Sequence, residues 1–160
     1  MTTTTMTASP LRTYDVSAES TDTFGRVRGV VRNHVLVIDG PKHNGAPGER
    51  PTPGETMLTA AAACGAEVVQ VLARDAGVAI DHVVVHLTGT IDPEKQPHPS
   101  VTVFSAVAFV FRLRGPSSAE AATLVGGFQR RCPVFGSLAI ASGRIDVDFV
   151  TEPATGNGGA

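Results

Sequence analysis

The run from Thr52 to Gly77 restricts this chain more than any other. Thr52 offers a side-chain oxygen to the free amides of a first helical turn. Pro53 brings the backbone angle that turn requires, and Glu55 stands where a capping box places its carboxylate. Beyond it Met57, Ala61, Cys64, Val68 and Val71 recur at steps of four, three, four and three. That spacing lays one apolar stripe along a helix that ends near Ala76-Gly77. The block Ala60-Ala61-Ala62-Ala63 has so little bulk that another helix can come very close, including the same helix of a second subunit.

The flanking segments read as strands. Between Tyr14 and Asp39 the pattern suits short strands: Val27, Val30 and Val31 alternate loosely with Arg26, Arg28 and Arg32. The run His34-Val-Leu-Val-Ile-Asp39 is β-rich and is stopped by Gly40-Pro41. A Gly/Pro-rich loop from Gly40 to Pro53 is long enough to suggest a functional role. Residues His82–Thr90 and Val101–Arg114 form two further strands around a His/Pro-rich turn, a hairpin. The second would span roughly 45 Å at about 3.3 Å per residue, a length easier to bury across a dimer. Ser117-Ser-Ala-Glu120 is a second capping box, opening a helix to about Arg131 that Pro133 must break. Phe135–Ala141 suits a short helix and Arg144–Val150 a closing strand. Strands and helices are grouped rather than alternating, so the expected class is α+β with antiparallel sheets.

Composition narrows the function. With 42% apolar and 18% charged residues and a net charge of −2, the chain lacks the basic excess that a phosphate backbone requires, which argues against nucleic acid. No stretch reads as a membrane span. The Thr-rich start lacks the regions of a secretory signal, so the expected compartment is the cytoplasm, where thiols stay reduced. The expected organisation is a disordered segment 1–13, a single domain 14–151 and a flexible tail 152–160.

Two cysteines are the only sulfhydryls, a count that suits thiol chemistry or small apolar filling better than a disulfide scaffold. Cys64 lies on the apolar stripe, either as a core filler or as a nucleophile in an apolar pocket. It sits about three turns into its helix, too far for the N-terminal dipole to help, so activation needs an external cation. Cys132 either ends one helix or, if Pro133 opens the next, occupies that helix's N-cap beside Arg130 and Arg131. The second placement favours ionisation. The histidines offer no metal set: His82 and His86 share a strand face about 13 Å apart. Gly126-Gly127 lies inside a helix and marks close packing rather than a nucleotide loop. Arg112 and Arg114 read as solvated charge.

Taken together, Thr52-Pro53-x-Glu55, an Ala-rich helix with Cys64 twelve positions after Thr52, a hairpin, and a helix ending in Arg131-Cys132-Pro133-Val134 resemble the OsmC/Ohr family. These are the osmotically inducible and organic hydroperoxide resistance proteins, which are peroxiredoxin-like in their chemistry. The resemblance covers roughly residues 25–150 and is nearer to an uncharacterised OsmC-like branch. It implies an intertwined homodimer whose two Cys-bearing central helices pack together, sheathed by antiparallel sheets from both chains. It also implies that Cys64 attacks an organic hydroperoxide and that Cys132 resolves the sulfenic acid as a disulfide, later reduced by a dithiol of the lipoyl type. The peroxidases of the family read Asn-Pro-Glu at the helix start, where this chain has Gly54, with Glu55 one residue later. Arg26, Arg28 and Arg50 are the candidates for the activating arginine, with Glu55 in support. No cofactor is implied. The alternative is a non-catalytic binding protein of the same fold, holding a small apolar or thiol-reactive ligand at the dimer interface.

Overall fold

The computed structural model describes residues 11–140. The closing strand expected over 144–150 and the tail expected over 152–160 lie outside the described residues.

Three short strands open the fold as an antiparallel meander: β1 (Ser17–Ser20), β2 (Arg26–Val31) and β3 (His34–Asp39). The β2–β3 turn has only two residues, with Arg32 in the left-handed region at φ 55°. Helix α1 (Pro53–Ala76) follows, then the hairpin β4 (His82–Thr90) and β5 (Ala106–Arg114), then α2 (Ser118–Arg131) and α3 (Pro133–Ala139). The sheets are separate among the described residues, three strands and two, and every pairing is antiparallel. This is the expected α+β class.

Both helix starts form as the sequence requires. The Thr52 side chain accepts from the Glu55 amide while the Glu55 carboxylate accepts from the Thr52 amide. Ser117 and Glu120 repeat the arrangement at α2. Gly77 closes α1 in the left-handed conformation, φ 66°.

The core lies between α1, α2 and the inner face of the hairpin. Val69, Ala73, Leu124, Phe128 and Cys132 are buried there, ringed by Phe109, Phe111, Leu113 and Phe135. The Phe128 ring meets those of Phe109, Phe111 and Phe135 at tilted or edge-on angles, with centroids 4.9–5.5 Å apart. Two glycines make this packing possible. A Cβ on Gly65 would stand 3.2 Å from the Phe111 ring, and one on Gly127 would lie 2.8 Å from Leu72. The close-packing role expected for the Gly126-Gly127 pair therefore falls to Gly127.

Three expectations need correction. The buried line of α1 is Ala61, Gly65, Val69 and Ala73, not the stripe through Cys64. Because α1 meets both the hairpin and α2, its burial centres between them, and Cys64 and Val68 sit on the shoulder. The second hairpin strand covers Ala106–Arg114, not Val101–Arg114. Ahead of it the Gln96 amide side chain accepts from the Val103 amide at 2.7 Å, and Val101 bridges only to His98, so side-chain capture replaces the ladder. The third concerns hydropathy. An 18-residue window of α1 reaches a mean hydropathy of 1.5, long and apolar enough to cross a membrane by length and composition. Its alanines account for much of that value. The helix is nonetheless a packing helix of this fold, set against β4 and α2.

Candidate active site

Helix α1 carries Cys64 on the shoulder of its buried line. Helix α2 delivers Cys132 from the opposite side. The contacts of Gly127 with Leu72, of Phe128 with Gly65 and of Cys132 with Cys64 show that α2 runs antiparallel to α1. Pro133 cannot continue α2 and takes the first position of α3, so Cys132 is at once the C-cap of α2 and the N-cap of α3. Its sulfur accepts from the Phe135 amide at 3.4 Å. The N-cap placement weighed from the sequence is therefore the one found. Both cysteines are free thiols: Cys132 is buried, and Cys64 is half-buried and open to a groove.

That groove has a volume of about 720 Å³. Val68, Val71, Pro133 and Val134 give it apolar walls around Cys64, and Glu67, Arg12, Tyr14 and Arg131 supply its polar rim. The electrostatics at Cys64 do not favour a thiolate in the isolated chain. Burial pushes the thiol up to about 11, the Cys132 thiol beside it and the Glu67 carboxylate push the same way, and the Val134 amide pulls back only in part. At neutral pH Cys64 is therefore a protonated thiol unless a cation approaches it.

Within one chain, the groups expected to assist lie elsewhere. Arg26 is held in a bidentate pair, its Nε and Nη2 donating to the two carboxylate oxygens of Asp39 at 2.8 and 2.9 Å, and Nη2 also reaches Glu49 at 2.8 Å. Asp39 is fully buried and accepts further from the Glu49 and Arg50 amides at 2.9 and 3.1 Å. The Arg26 guanidinium, the first of these influences, holds the Asp39 carboxyl well below the usual carboxylate range. Together these bonds pin the loop from Gly40 to Pro53 to the first sheet. Arg28 pairs with Glu19 at 2.7 Å on the exposed side of that sheet. The Arg50 side chain lines a surface hollow with Thr52, Glu55 and Thr59. Glu55 is engaged by capping, its carboxylate accepting from the Thr52 amide and hydroxyl at 2.7 and 2.8 Å. Gly54 faces the Phe104 ring, 3.5 Å from where a Cβ would stand.

The cations that do reach the groove are Arg131 and Arg12. Arg131 could have been found from its place beside Cys132. Glu67 is also legible, one turn beyond Cys64 on the same side of α1. Arg12 has no sequence signal: it falls in the segment 1–13 set apart from the domain, and it lines the groove together with Tyr14 from a stretch, 11–16, without regular structure. Among the described residues, no group of three or more His, Cys, Asp or Glu gathers as a metal set.

Residues 46–147 match the family model described as OsmC-like protein. Comparison with curated proteins returns no match. Among solved structures, the fold is similar to that of an OsmC-like protein from Mycoplasma pneumoniae, with a TM-score of 0.71 and 19% identity over 82% of this chain and 90% of that one. It is also similar to an organic hydroperoxide resistance protein OsmC from Legionella pneumophila, with a TM-score of 0.64 and 20% identity over 81% and 91%. A third is a putative organic hydroperoxide resistance protein from Vibrio cholerae with captopril bound in one of its active sites, with a TM-score of 0.55 and 23% identity over 84% and 88%. At these identities the likeness establishes the fold.

Proposed function

Since this chain belongs to the OsmC-like protein family, we propose that it is a cytoplasmic, homodimeric, thiol-dependent peroxidase acting on organic hydroperoxides. The observation that carries this reading is the meeting of its two thiols, Cys64 and Cys132, at an apolar groove. The Cys64 thiolate attacks the terminal oxygen of the hydroperoxide. The O–O bond breaks, the alkoxide leaves with the bonding electrons and takes a proton, and Cys64 becomes a sulfenic acid. The Cys132 sulfur then displaces the sulfenic oxygen as water, forming a disulfide with Cys64. A dithiol of the lipoyl type returns the pair to its reduced state by two exchange steps, leaving as its own cyclic disulfide. Apolar walls suit an alkyl hydroperoxide better than hydrogen peroxide.

A second copy of the chain would cover surface that one copy leaves bare. Only 28% of the most apolar window of α1 is buried, and Val35, Leu36 and Val37 of β3 are each 40–49% exposed. Ala60 and Ala63 lie on the open side of α1, where a partner helix can approach closely.

A test of the peroxidase reading is to add one equivalent of tert-butyl hydroperoxide to reduced protein and to follow intact and peptide masses. The expected result is a prompt loss of two hydrogens mapping to a Cys64–Cys132 peptide, absent in Cys64→Ser. Thiols left unchanged by a small excess would overturn it.

The second reading, a non-catalytic protein holding a small apolar or thiol-reactive ligand at the dimer interface, is favoured by the protonated state of Cys64 and by Phe104 facing Gly54. The Vibrio cholerae neighbour with captopril in an active site is a precedent for a small molecule in such a groove. Unchanged thiols together with saturable ligand binding would establish it.

A further inference from the structure

The side of the groove opposite Cys64 holds an arginine with little else to do. Arg131 immediately precedes Cys132, whose thiol lies beside that of Cys64, and both Arg131 and Cys64 line the groove. Its guanidinium nevertheless points down the helix pair to Asp75, at 3.8 Å. Asp75 is eleven residues beyond Cys64, about 16 Å along α1 at ~1.5 Å per residue. Asp75 is already engaged more tightly by its neighbour Arg74, at 2.8 Å. The Arg131–Asp75 pair is long and about half exposed on both sides, the kind of surface pair that holds a side chain only weakly. A weakly held arginine exchanges among its staggered rotamers, and the groove that Arg131 lines also holds Cys64. Glu67, one turn beyond Cys64 on the groove rim, adds attraction at that end.

We propose that Arg131 is the cation that turns Cys64 into a nucleophile, and that Asp75 parks it away from the sulfur in the resting protein. In the parked state Cys64 faces Glu67, the Cys132 thiol, Arg12 and Tyr14 across the groove, and it remains protonated. When Arg131 leaves Asp75, its guanidinium donates to the Cys64 sulfur and the thiol proton passes to water. This rests on Cys64 being the reactive thiol of the proposed peroxidase.

The experiment reads thiol reactivity without peroxide, so its failure and that of the peroxidase reading are distinguishable. The full-length protein is labelled with iodoacetamide across pH 6–10, and Cys64 is followed by its peptide mass. Arg131→Gln should slow Cys64 labelling at neutral pH about tenfold, equal to about one pKa unit. Arg131→Lys should recover part of the rate. Asp75→Asn, too far away to act on the sulfur directly, should speed labelling about threefold by freeing the guanidinium from its pair. That gain should vanish in the double variant Asp75→Asn/Arg131→Gln. Arg12→Gln, at the other cation of the groove, should slow labelling less than Arg131→Gln does. The proposal is overturned if Arg131→Gln labels as fast as the parent, if the Asp75→Asn gain persists without Arg131, or if Arg12→Gln reproduces the tenfold loss.

Discussion

Asp39 is the residue with the most polar contacts to lose. Its carboxylate is fully buried and satisfied by Arg26 and two loop amides, and these bonds depress its pKa. A depressed carboxyl stabilises the fold fully above its unfolded value of about 3.9, and that contribution is lost as pH falls through the folded value. Asp39→Asn should therefore lower the urea midpoint at pH 7 and flatten the loss of stability on acidification below about pH 4. Equal acid slopes in parent and variant would contradict this. Phe128 is the apolar counterpart, only 1% exposed and in contact with three other phenylalanine rings. Its truncation in Phe128→Ala should cost about 3–5 kcal/mol in chemical denaturation, the range for emptying a buried aromatic site. Smaller effects are expected at Glu55, whose carboxylate is held below its usual range first by the Thr52 amide. Its place in the cap, rather than any part in peroxide chemistry, explains its geometry.

At the level of elements, α1 and α2 owe their starts to reciprocal caps and their contact to glycine. Thr52→Ala should destabilise the protein by about 1 kcal/mol through one lost cap, and Ser117→Ala by a similar amount. Both are readable as shifted denaturation midpoints with unchanged slope. Gly65→Val meets a different obstacle: a branched side chain would collide with Phe111 and Phe128 and push α1 off the hairpin. Its expected signature is loss of near-ultraviolet dichroism from the phenylalanine cluster together with a large fall in stability. These caps were legible in the sequence because capping is local, a matter of residues three apart. The bounds of β5 were not. Alternating valines continue back to Val101, but the Gln96 side chain takes up the Val103 amide, and no local pattern announces a contact seven residues away.

For the whole molecule, the open question is what covers the bare apolar surface. A first sheet with Val35, Leu36 and Val37 exposed and a long alanine-rich helix buried on one side only do not suit an isolated chain in water. Light scattering after size exclusion should give twice the chain mass. Leu36→Asp, which is not in the core of one copy, should shift the protein toward monomer without removing the Cys64–Cys132 contact. A monomeric parent protein at micromolar concentration would refute the dimer and leave the fold intact.

The amino-acid order alone determined where α1 and α2 begin and end, that the flanking segments form strands, and that two thiols sit in helical settings tied to a known family. Those are properties of neighbours within a turn or a pleat, and of motifs. Only the folded chain decided that Cys64 lies on the shoulder of α1 rather than in its buried line, that Arg26 is engaged by Asp39, and that Arg131 reaches along the helices to Asp75. Each depends on how α1, α2 and the loops approach one another. The direction in which a long cationic side chain points is set by carboxylates that are distant in sequence and near in space.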